Sequence, residues 1–287
     1  MAKRAICVGI NKFAKYPQFQ LNGCVNDAKD MVALCRQVLG FKASEVTLLT
    51  DAKATKAAIM AALKSAVKDA KAGKISSLLF SWSSHGTQMT DTSGDEPDGM
   101  DEAFVPYDIA EKAGAWDPAH IISDDEFHDL FEQLPEKVLL EVYLDTCHSG
   151  SGLRGAEFGL HAPRPRYVAP PTPIRQGTGR QATVRGFTLG PQATGTAKVA
   201  AKPTAVAGKH HILWSGCKAD QTSADAYFDG RYSGAFTYFY VKEVRASNNA
   251  LSRAKVVFNM RAAMQGKFSQ VAQLEANATN RNAVQVV

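Results

Sequence analysis

The chain has 287 residues, of which 45% are apolar and 21% charged, a balance that is typical of a folded globular protein and not of a disordered one. No apolar run reaches the roughly 18 to 20 residues that span a bilayer, and the first residues do not resemble a secretory signal, so we expect no membrane association. Five cysteines without a CxxC pair argue against a disulfide framework and a zinc site, and favour a reducing, cytoplasmic compartment.

The net charge of +5 is unevenly distributed. Residues 154–209 hold nine Lys or Arg and a single acid, Glu157, together with seven of the twelve prolines. This composition predicts a flexible basic linker and not a packed element. Three interpretations of the linker are open: a nucleic-acid contact, a plain connection, or a loop that resembles a substrate. Because it lacks interleaved aromatic residues and binding motifs, we expect no nucleic-acid partner.

Short apolar runs alternate with amphipathic segments along the chain. In chain order, the pattern predicts a strand at 3–10, a helix at 22–39, a strand at 45–50, a helix at 55–72, a strand at 75–82, a Gly/Asp-rich loop at 87–99, a helix at 124–134, strands at 137–145 and 210–215, helices at 235–246 and 252–264, and a last strand at 282–287. Ser123 and Glu126 have capping-box spacing at the start of the third helix.

This alternation predicts an α/β fold with a mostly parallel central sheet of about six strands, flanked by helices. We divide the chain into a large part (1–153), the linker (154–209) and a small part (210–287). The small part offers few elements of its own, so we expect it to complete the sheet of the large part.

Two polar loops follow predicted strands, and each contains a residue suited to nucleophilic catalysis. His85 follows the third strand and Cys147 the fourth; the carboxyl ends of neighbouring parallel strands meet at one edge of a sheet, where ligands bind. An imidazole can take the proton of a thiol and later protonate a leaving amine. The backbone N–H groups of Gly86 and Cys147 are the predicted oxyanion hole.

Other chemistry is less well supported by the sequence. His148 is a competing base, but it adjoins Cys147 in the chain, so its side chain is expected to point elsewhere. The G-x-S-x-G elbow of serine hydrolases is absent. The spacing of Cys147, His148 and His85 does not match a tetrahedral metal site.

The residues around His85 and Cys147 resemble the motifs of a known family. SWSSHG at 81–86 and DTCHSGSG at 145–152 are similar to the His and Cys motifs of the metacaspases and their bacterial relatives, the orthocaspases, within the caspase-like cysteine peptidases. Further similar segments are LNGCVNDA at 21–28, ISDDEF at 122–127, HILWSGCKADQTSAD at 211–225 and GAFT at 234–237. The resemblance implies a caspase-like fold and a cysteine endopeptidase that acts through a thioester acyl-enzyme. The animal caspase signature QACRG is absent, which separates this chain from the Asp-cleaving branch.

The resemblance also implies a primary specificity pocket. Asp27 and Asp145 would lie at its base, with Cys24 and Ser83 on its wall. Two carboxylates favour a cation, and a planar carboxylate pairs well with guanidinium. We therefore predict cleavage after Arg, and also after Lys, in protein or peptide substrates.

Calcium is implied by the resemblance, not by the chemistry, which requires no cofactor. Asp101, Asp124 and Asp125 fall where metacaspases place calcium-binding acids, and carboxylate oxygens suit this ion. Arg154 stands near where a further aspartate is expected, which disfavours the site. The alternative is a solvated acidic loop followed by the start of a helix.

In this family the linker is often cut during maturation, and flexible Pro-rich chain is a usual place for proteolysis. We predict self-cleavage within 154–202, with the basic candidates Arg154, Arg164, Arg166, Arg175, Arg180, Arg185, Lys198 and Lys202. An uncut linker could also lie across the cleft as a tethered inhibitor. The resemblance further suggests a monomer. The alternatives are an inactive scaffold with a caspase-like fold and a relative that transfers the acyl group to an amine.

Overall fold

The computed structural model describes residues 2–90, 100–147, 163–171, 211–218 and 221–285. The strands are β1 (Ala2–Gly9), β2 (Val46–Thr50), β3 (Ile75–Ser83), β4 (Gly86–Thr90), β5 (Met100–Phe104), β6 (Glu111–Lys112), β7 (Ala115–Trp116), β8 (Ile122–Ser123), β9 (Leu139–Asp145), β10 (Arg164–Pro165), β11 (His211–Ser215), β12 (Ala224–Phe228), β13 (Arg231–Gly234) and β14 (Gln273–Glu275). The helices are α1 (Cys24–Gln37), α2 (Lys56–Lys71), α3 (Asp124–Phe131), α4 (Ala235–Ala246), α5 (Arg253–Met264) and α6 (Ala278–Asn282). None of these helices is long and apolar enough to cross a membrane.

A six-stranded sheet forms the middle layer, in the order β14-β11-β9-β3-β1-β2. All neighbouring strands are parallel except β11 and β14, which are antiparallel. Strands such as β3, with an almost continuous buried apolar run, are covered by helices on both faces, as parallel sheets usually are. The predicted α/β fold with a mostly parallel sheet of six strands is confirmed.

A hydrophobic cluster fills each face of the sheet. On one face α2 and α3 pack against Phe80 and Trp82 of β3. On the other face α1 packs together with α4 and α5. This second cluster contains residues from both ends of the chain, and a buried ion pair between Arg253 Nε and Glu141 Oε1 (2.7 Å) ties α5 to the sheet. The segments before and after the basic linker therefore share one core.

The helix starts follow local capping rules. The Thr55 hydroxyl accepts a hydrogen bond from the Ala58 N–H at the start of α2 (3.2 Å). The predicted capping box is present at the start of α3, where Ser123 and Glu126 satisfy each other's backbone N–H groups. These caps explain why the predicted starts of α2 and α3 lie within two residues of the observed ones.

The predicted last strand is wrong. Residues 282–285 contain no strand, and the antiparallel edge of the sheet is instead β14. The Asn277 side chain accepts a hydrogen bond from the Asn280 N–H (2.8 Å) and so caps the start of the short helix α6. This helix ends at Asn282, where the predicted strand was to begin. The three residues of β14 are too few to show an alternating pattern, so periodicity could not locate them.

Two antiparallel pairs that the sequence did not predict lie beside the sheet's carboxyl edge. Strands β4 and β5 pair with each other soon after β3. Most of β4 lies within the loop predicted at 87–99 and β5 follows it, while residues 91–99 lie outside the described part. Strands β12 and β13 form a hairpin after β11. Residues 163–171, inside the predicted flexible linker, are also packed: β10 pairs with β12. This difference from the prediction has a physical reason, which is the burial of Arg166 described below.

Candidate active site

The sheet brings the His85 loop and the Cys147 loop together. Strands β3 and β9 pair in parallel, with Ser83 opposite Asp145 at their carboxyl ends. His85 and Cys147 each follow two residues later, so they leave adjacent strands at the same edge. Both side chains are buried. The sequence prediction that topology would bring these two loops side by side is in accord with this register.

His85 is held by backbone and by aromatic rings. Its Nε2 lies 2.7 Å from the carbonyl oxygen of Phe19, and the rings of Phe13 and Phe19 lie 5.3 and 6.3 Å from the imidazole. Burial lowers the pKa of His85 to about 4; the hydrogen bond to Phe19 opposes this shift, and the charge of Arg166 adds to it. The imidazole is therefore neutral at pH 7. With Nε2–H donating to Phe19, Nδ1 is free to accept a proton.

The Cys147 thiol lies against the small part of the chain. Its Sγ accepts a hydrogen bond from the Ser223 N–H and lies 3.5 Å from the Ser223 carbonyl oxygen. Among the described residues, His85 Nδ1 has no hydrogen-bond partner. Proton transfer between the two groups thus requires the thiol to turn from Ser223 toward the imidazole.

A peptide carbonyl occupies the predicted oxyanion hole. The backbone N–H groups of Gly86 and Cys147 both point at the carbonyl oxygen of Arg166, at N···O distances of 2.9 and 3.3 Å. These are the two donors that the sequence suggested. They converge on one oxygen because Gly86 begins β4 and Cys147 follows β9, on either side of the same cleft. Charge that develops on this oxygen during nucleophilic attack would be stabilised by both donors.

The side chain of Arg166 fills a pocket of carboxylates. Its guanidinium is fully buried and lies 2.6 Å from Asp27 Oδ2, 3.1 Å from Asp145 Oδ1 and 3.0 Å from Asp225 Oδ1. Nη1 also donates a hydrogen bond to the hydroxyl of Ser83 (2.7 Å). The rigid guanidinium fork engages carboxylates on two of its nitrogens, which a single ammonium group could not do with the same geometry.

The electrostatics of this cluster depend on the arginine. Burial raises the pKa of the Asp27 carboxyl to about 6; the Arg166 charge lowers it, and Asp145 raises it further. Burial alone would lower the pKa of the Arg166 guanidinium. The surrounding carboxylates raise this pKa by more, so it lies well above its ordinary value. Burial raises the pKa of the Cys24 thiol well above its ordinary value, although the nearby charge of Arg166 lowers it. Cys24 is therefore a neutral wall residue of this pocket.

Residues of the small part fix the carboxylates in place. The N–H and hydroxyl of Thr237 donate to Asp145 Oδ2 at 2.9 and 2.7 Å, and the Ser223 hydroxyl donates to Asp145 Oδ1 at 2.6 Å. The Gly234 N–H donates to Asp27 Oδ1 (2.9 Å). A side chain at Gly234 would collide with Asp145 Oδ2 and with the guanidinium of Arg166. A glycine is required here because the pocket wall is backbone.

The segment around Arg166 crosses the cleft in an extended conformation. Strand β10 pairs antiparallel with β12, and the Arg166 N–H donates to the carbonyl of Ser223 (3.1 Å). Beyond the Arg166 carbonyl, the Val168 N–H donates to the Gly86 carbonyl (2.9 Å). Backbone pairing on both sides of one peptide bond is how an extended peptide adds to a sheet edge. The carbonyl of the Arg166–Tyr167 bond is thus held at the two N–H donors of Gly86 and Cys147.

Comparisons with known proteins show the family to which the chain belongs. Residues 3–155 match the family model described as metacaspase, peptidase C14 domain. The chain is 32% identical to metacaspase-1A of Aspergillus oryzae, over 96% of this chain and 68% of that protein. It is 31% identical to metacaspase-1 of Coccidioides immitis, over 96% of this chain and 61% of that protein.

The chain belongs to the metacaspase family. Its fold is also similar to that of two solved structures. A protein from Geobacter sulfurreducens has a TM-score of 0.66 at 22% identity, and the match covers 100% of this chain and 99% of that one. Caspase-1 from Spodoptera frugiperda has a TM-score of 0.56 at 12% identity, with 96% of this chain and 86% of that one covered. The predicted resemblance and the predicted caspase-like fold are confirmed.

The sequence analysis did not identify one residue of the pocket of this metacaspase. Asp225 was not among the residues predicted to line it. The structure brings Asp225 into the pocket itself, where its Oδ1 also accepts a hydrogen bond from the Gly23 N–H (2.9 Å). The contribution of the Phe19 carbonyl was missed, since a backbone group gives no signal in the sequence.

The basic linker residues have different positions. Arg166 is buried, whereas Arg164 is exposed and donates only to the Gln20 carbonyl (3.2 Å). The remaining self-cleavage candidates lie outside the described residues, as does His148; they are Arg154, Arg175, Arg180, Arg185, Lys198 and Lys202.

The acids suggested for calcium lie near one another on β5 and α3. Burial raises the pKa of Asp124 to about 8, and Glu102, Asp125 and Asp101 add to that rise. Among the described residues, however, no group of three His, Cys, Asp or Glu side chains is arranged to hold a metal ion. Calcium binding by these acids stays a prediction.

Proposed function

We propose that this metacaspase is a cysteine endopeptidase that cleaves after Arg, and more slowly after Lys, with Cys147 as nucleophile and His85 as the base. We further propose that its first substrate is its own Arg166–Tyr167 bond. One observation carries both statements: the side chain of Arg166 fills the carboxylate pocket while its carbonyl oxygen accepts hydrogen bonds from Gly86 and Cys147.

The chemistry follows from this arrangement. Neutral His85 takes the proton of Cys147, and the thiolate attacks the carbonyl carbon of Arg166. The negative charge moves to the carbonyl oxygen, where the N–H groups of Gly86 and Cys147 stabilise it. Collapse of this tetrahedral intermediate breaks the bond to the Tyr167 nitrogen, to which His85 returns the proton. Arg166 is then a thioester on Cys147, and water deprotonated by His85 releases it as a carboxylate.

Selectivity for Arg is supported by the three carboxylates. Asp27, Asp145 and Asp225 surround both terminal nitrogens of the guanidinium. Lysine brings the same charge but only one nitrogen, so it leaves part of this acceptor set unpaired. An aspartate in the same position would place a fourth carboxylate among three, which Coulomb repulsion in a buried site disfavours strongly.

The same arrangement supports a tethered inhibitor before the cut. An arginine that is fully buried in the pocket excludes other substrates from it. We expect activity on added peptides to show a lag that matches the appearance of the cut chain. This makes the predicted linker (154–209) both the first substrate and the initial block.

Three fluorogenic peptides that differ only in a terminal Arg, Lys or Asp test the proposal, with calcium and with chelator. Purified full-length protein is compared with the Cys147→Ala and His85→Ala variants. Mass spectrometry of the protein itself should give a new C-terminus at Arg166 and a new N-terminus at Tyr167, in the parent only. The expected peptide order is Arg, then Lys, with no cleavage after Asp.

Several outcomes would contradict the proposal. Cleavage after Asp would show that the carboxylate pocket does not select the residue before the scissile bond. A first cut at another basic residue would show that Arg166–Tyr167 is not the first substrate. An inactive protein with an intact linker under every condition would favour the scaffold alternative. Adding an amine nucleophile separates hydrolysis from acyl transfer, because a transferase would yield the amide of the Arg product in place of its acid.

A further inference from the structure

The chain beyond the scissile bond is anchored as firmly as the chain before it. Val168 is 4% exposed, although Tyr167 is only partly buried and Ala169 is exposed. Arg166 and Val168 are therefore two buried anchors of the segment, with the scissile bond between them.

The surroundings of Val168 are apolar. Val168 belongs to the same hydrophobic cluster as Phe13, Val105 and Trp116, against which Tyr16 and Phe19 also pack. Its N–H donates to the Gly86 carbonyl (2.9 Å). Gly86 pairs with Phe104, and the next residue, Thr87, accepts a hydrogen bond from the Trp116 indole (3.0 Å). The backbone of Val168 thus lies at the start of β4, and its buried side chain belongs to the apolar cluster on this face of the sheet.

We propose that the apolar surroundings of Val168 form a second specificity subsite, which takes a small branched aliphatic residue two positions after the scissile bond. The inference rests on the proposed peptidase function and adds the residue class that a substrate needs on the leaving side. A charged residue at this position would be buried among apolar side chains without a partner, which is costly. Protein substrates are therefore selected by a pair of residues, Arg followed two positions later by Val or a similar residue.

The subsite also explains how one linker arginine is selected over others. A basic side chain alone satisfies only the carboxylate pocket. Of the other candidates, Arg164 is followed two positions later by Arg166, and Arg185 by Phe187. Neither places a small branched aliphatic residue in the second subsite.

Internally quenched peptides with the sequence Arg-Pro-Arg-Tyr-X-Ala test the subsite, using the full-length protein after self-cleavage. With X as Val, Ala or Asp, we expect kcat/KM to fall about tenfold from Val to Ala, as for removal of two buried carbons. From Val to Asp we expect a loss of about a hundredfold or more, since a charge would be buried. The matched control replaces the final Ala with Asp, at the position that Ala169 occupies exposed, and should change kcat/KM less than about twofold.

A coumarin amide of Arg-Pro-Arg separates failure of this inference from failure of the proposed function, because it has no residue beyond the scissile bond. If the coumarin substrate is cleaved but the three X peptides are cleaved equally, the subsite does not exist. If the coumarin substrate is not cleaved at all, the peptidase proposal itself fails.

The same comparison can be made within the chain. Val168→Asp should slow the cut after Arg166, whereas Ala169→Asp should not. Both variants should give the far-UV circular dichroism of the parent, which shows that they are folded, and activity on the coumarin substrate should appear together with the cut chain. A Val168→Asp protein that cuts itself at the parent rate would overturn the inference.

Discussion

Replacing Arg166 with glutamine, in a Cys147→Ala background that cannot cut itself, isolates what holds the linker segment in the cleft. The substitution removes the positive charge and keeps most of the side-chain length. It leaves Asp27, Asp145 and Asp225 buried without their common cation. Removing one partner of a buried ion pair costs about 3 to 5 kcal/mol.

This cost converts into the population of the undocked segment. At about 1.4 kcal/mol per factor of ten, 3 to 5 kcal/mol corresponds to between about 10² and a few times 10³. Water that enters the vacated pocket hydrates the carboxylates and limits the loss, so we expect the lower end, about a hundredfold. The readout is amide hydrogen exchange at Arg166 and Val168, whose N–H groups donate to Ser223 and Gly86 in the docked segment.

Arg164→Gln is the matched control, since it removes the same charge from an exposed residue two positions earlier. Exposed substitutions of this kind change stability by about 0.5 kcal/mol or less, which is about twofold in exchange rate. The reasoning would be refuted if the Arg166→Gln and Arg164→Gln proteins exchanged at the same rate. That result would mean that backbone pairing alone holds the segment, and that the carboxylates contribute nothing to docking.

Three further predictions concern the carboxylates. Self-cleavage should slow as the pH falls through about 6, where Asp27 takes up a proton and no longer pairs with arginine. Ser83→Ala should move this fall in rate to higher pH, because the Ser83 hydroxyl stabilises the Asp27 carboxylate. A fall in rate near pH 4 in the parent would instead indicate protonation of His85. Asp225→Asn should lower kcat/KM by about 10- to 100-fold for Arg peptides and by less for Lys peptides, which lack the second nitrogen of the fork; an unchanged Arg-to-Lys ratio would contradict the role of Asp225. In chelator, Asp124→Asn should raise the melting temperature more at pH 9 than at pH 5, because folding raises the pKa of Asp124 to about 8 and stability falls as the pH rises from the ordinary pKa of a carboxyl to that value. Calcium that abolishes this difference would place the ion at this acid, and an equal rise at both pH values would show that ionisation of Asp124 does not cause it.

Much of the fold was predictable because it depends on local patterns. Strands β3 and β9 are long, mostly apolar and followed by polar loops, so the edge that carries His85 and Cys147 could be located from sequence alone. The hairpin of β12 and β13 could not, since its strands are short and partly exposed. Asp225 was underestimated for this reason: its place in the pocket depends on that hairpin folding against Gly23.

The sequence could not show that Arg166 is the basic residue in the pocket, for a different reason. Eight basic residues of the linker met the same requirement of the carboxylate pocket, and their charge alone does not distinguish them. The structure places Arg166 there while its own carbonyl reaches Gly86 and Cys147, which depends on the path of the chain. The average composition of the linker also conceals the buried residues Arg166 and Val168.

The pocket itself has an energetic consequence for this metacaspase. Its three carboxylates come from α1, β9 and β12, that is, from both sides of the linker. Such a cluster repels itself when no cation is present, and burial already raises the pKa of Asp27 to about 6 with Arg166 in place. The guanidinium of Arg166 therefore joins the two parts of the chain. Under the proposed function, a substrate arginine that replaces Arg166 would restore the same ionic contacts, so one set of interactions would stabilise both substrate binding and the fold.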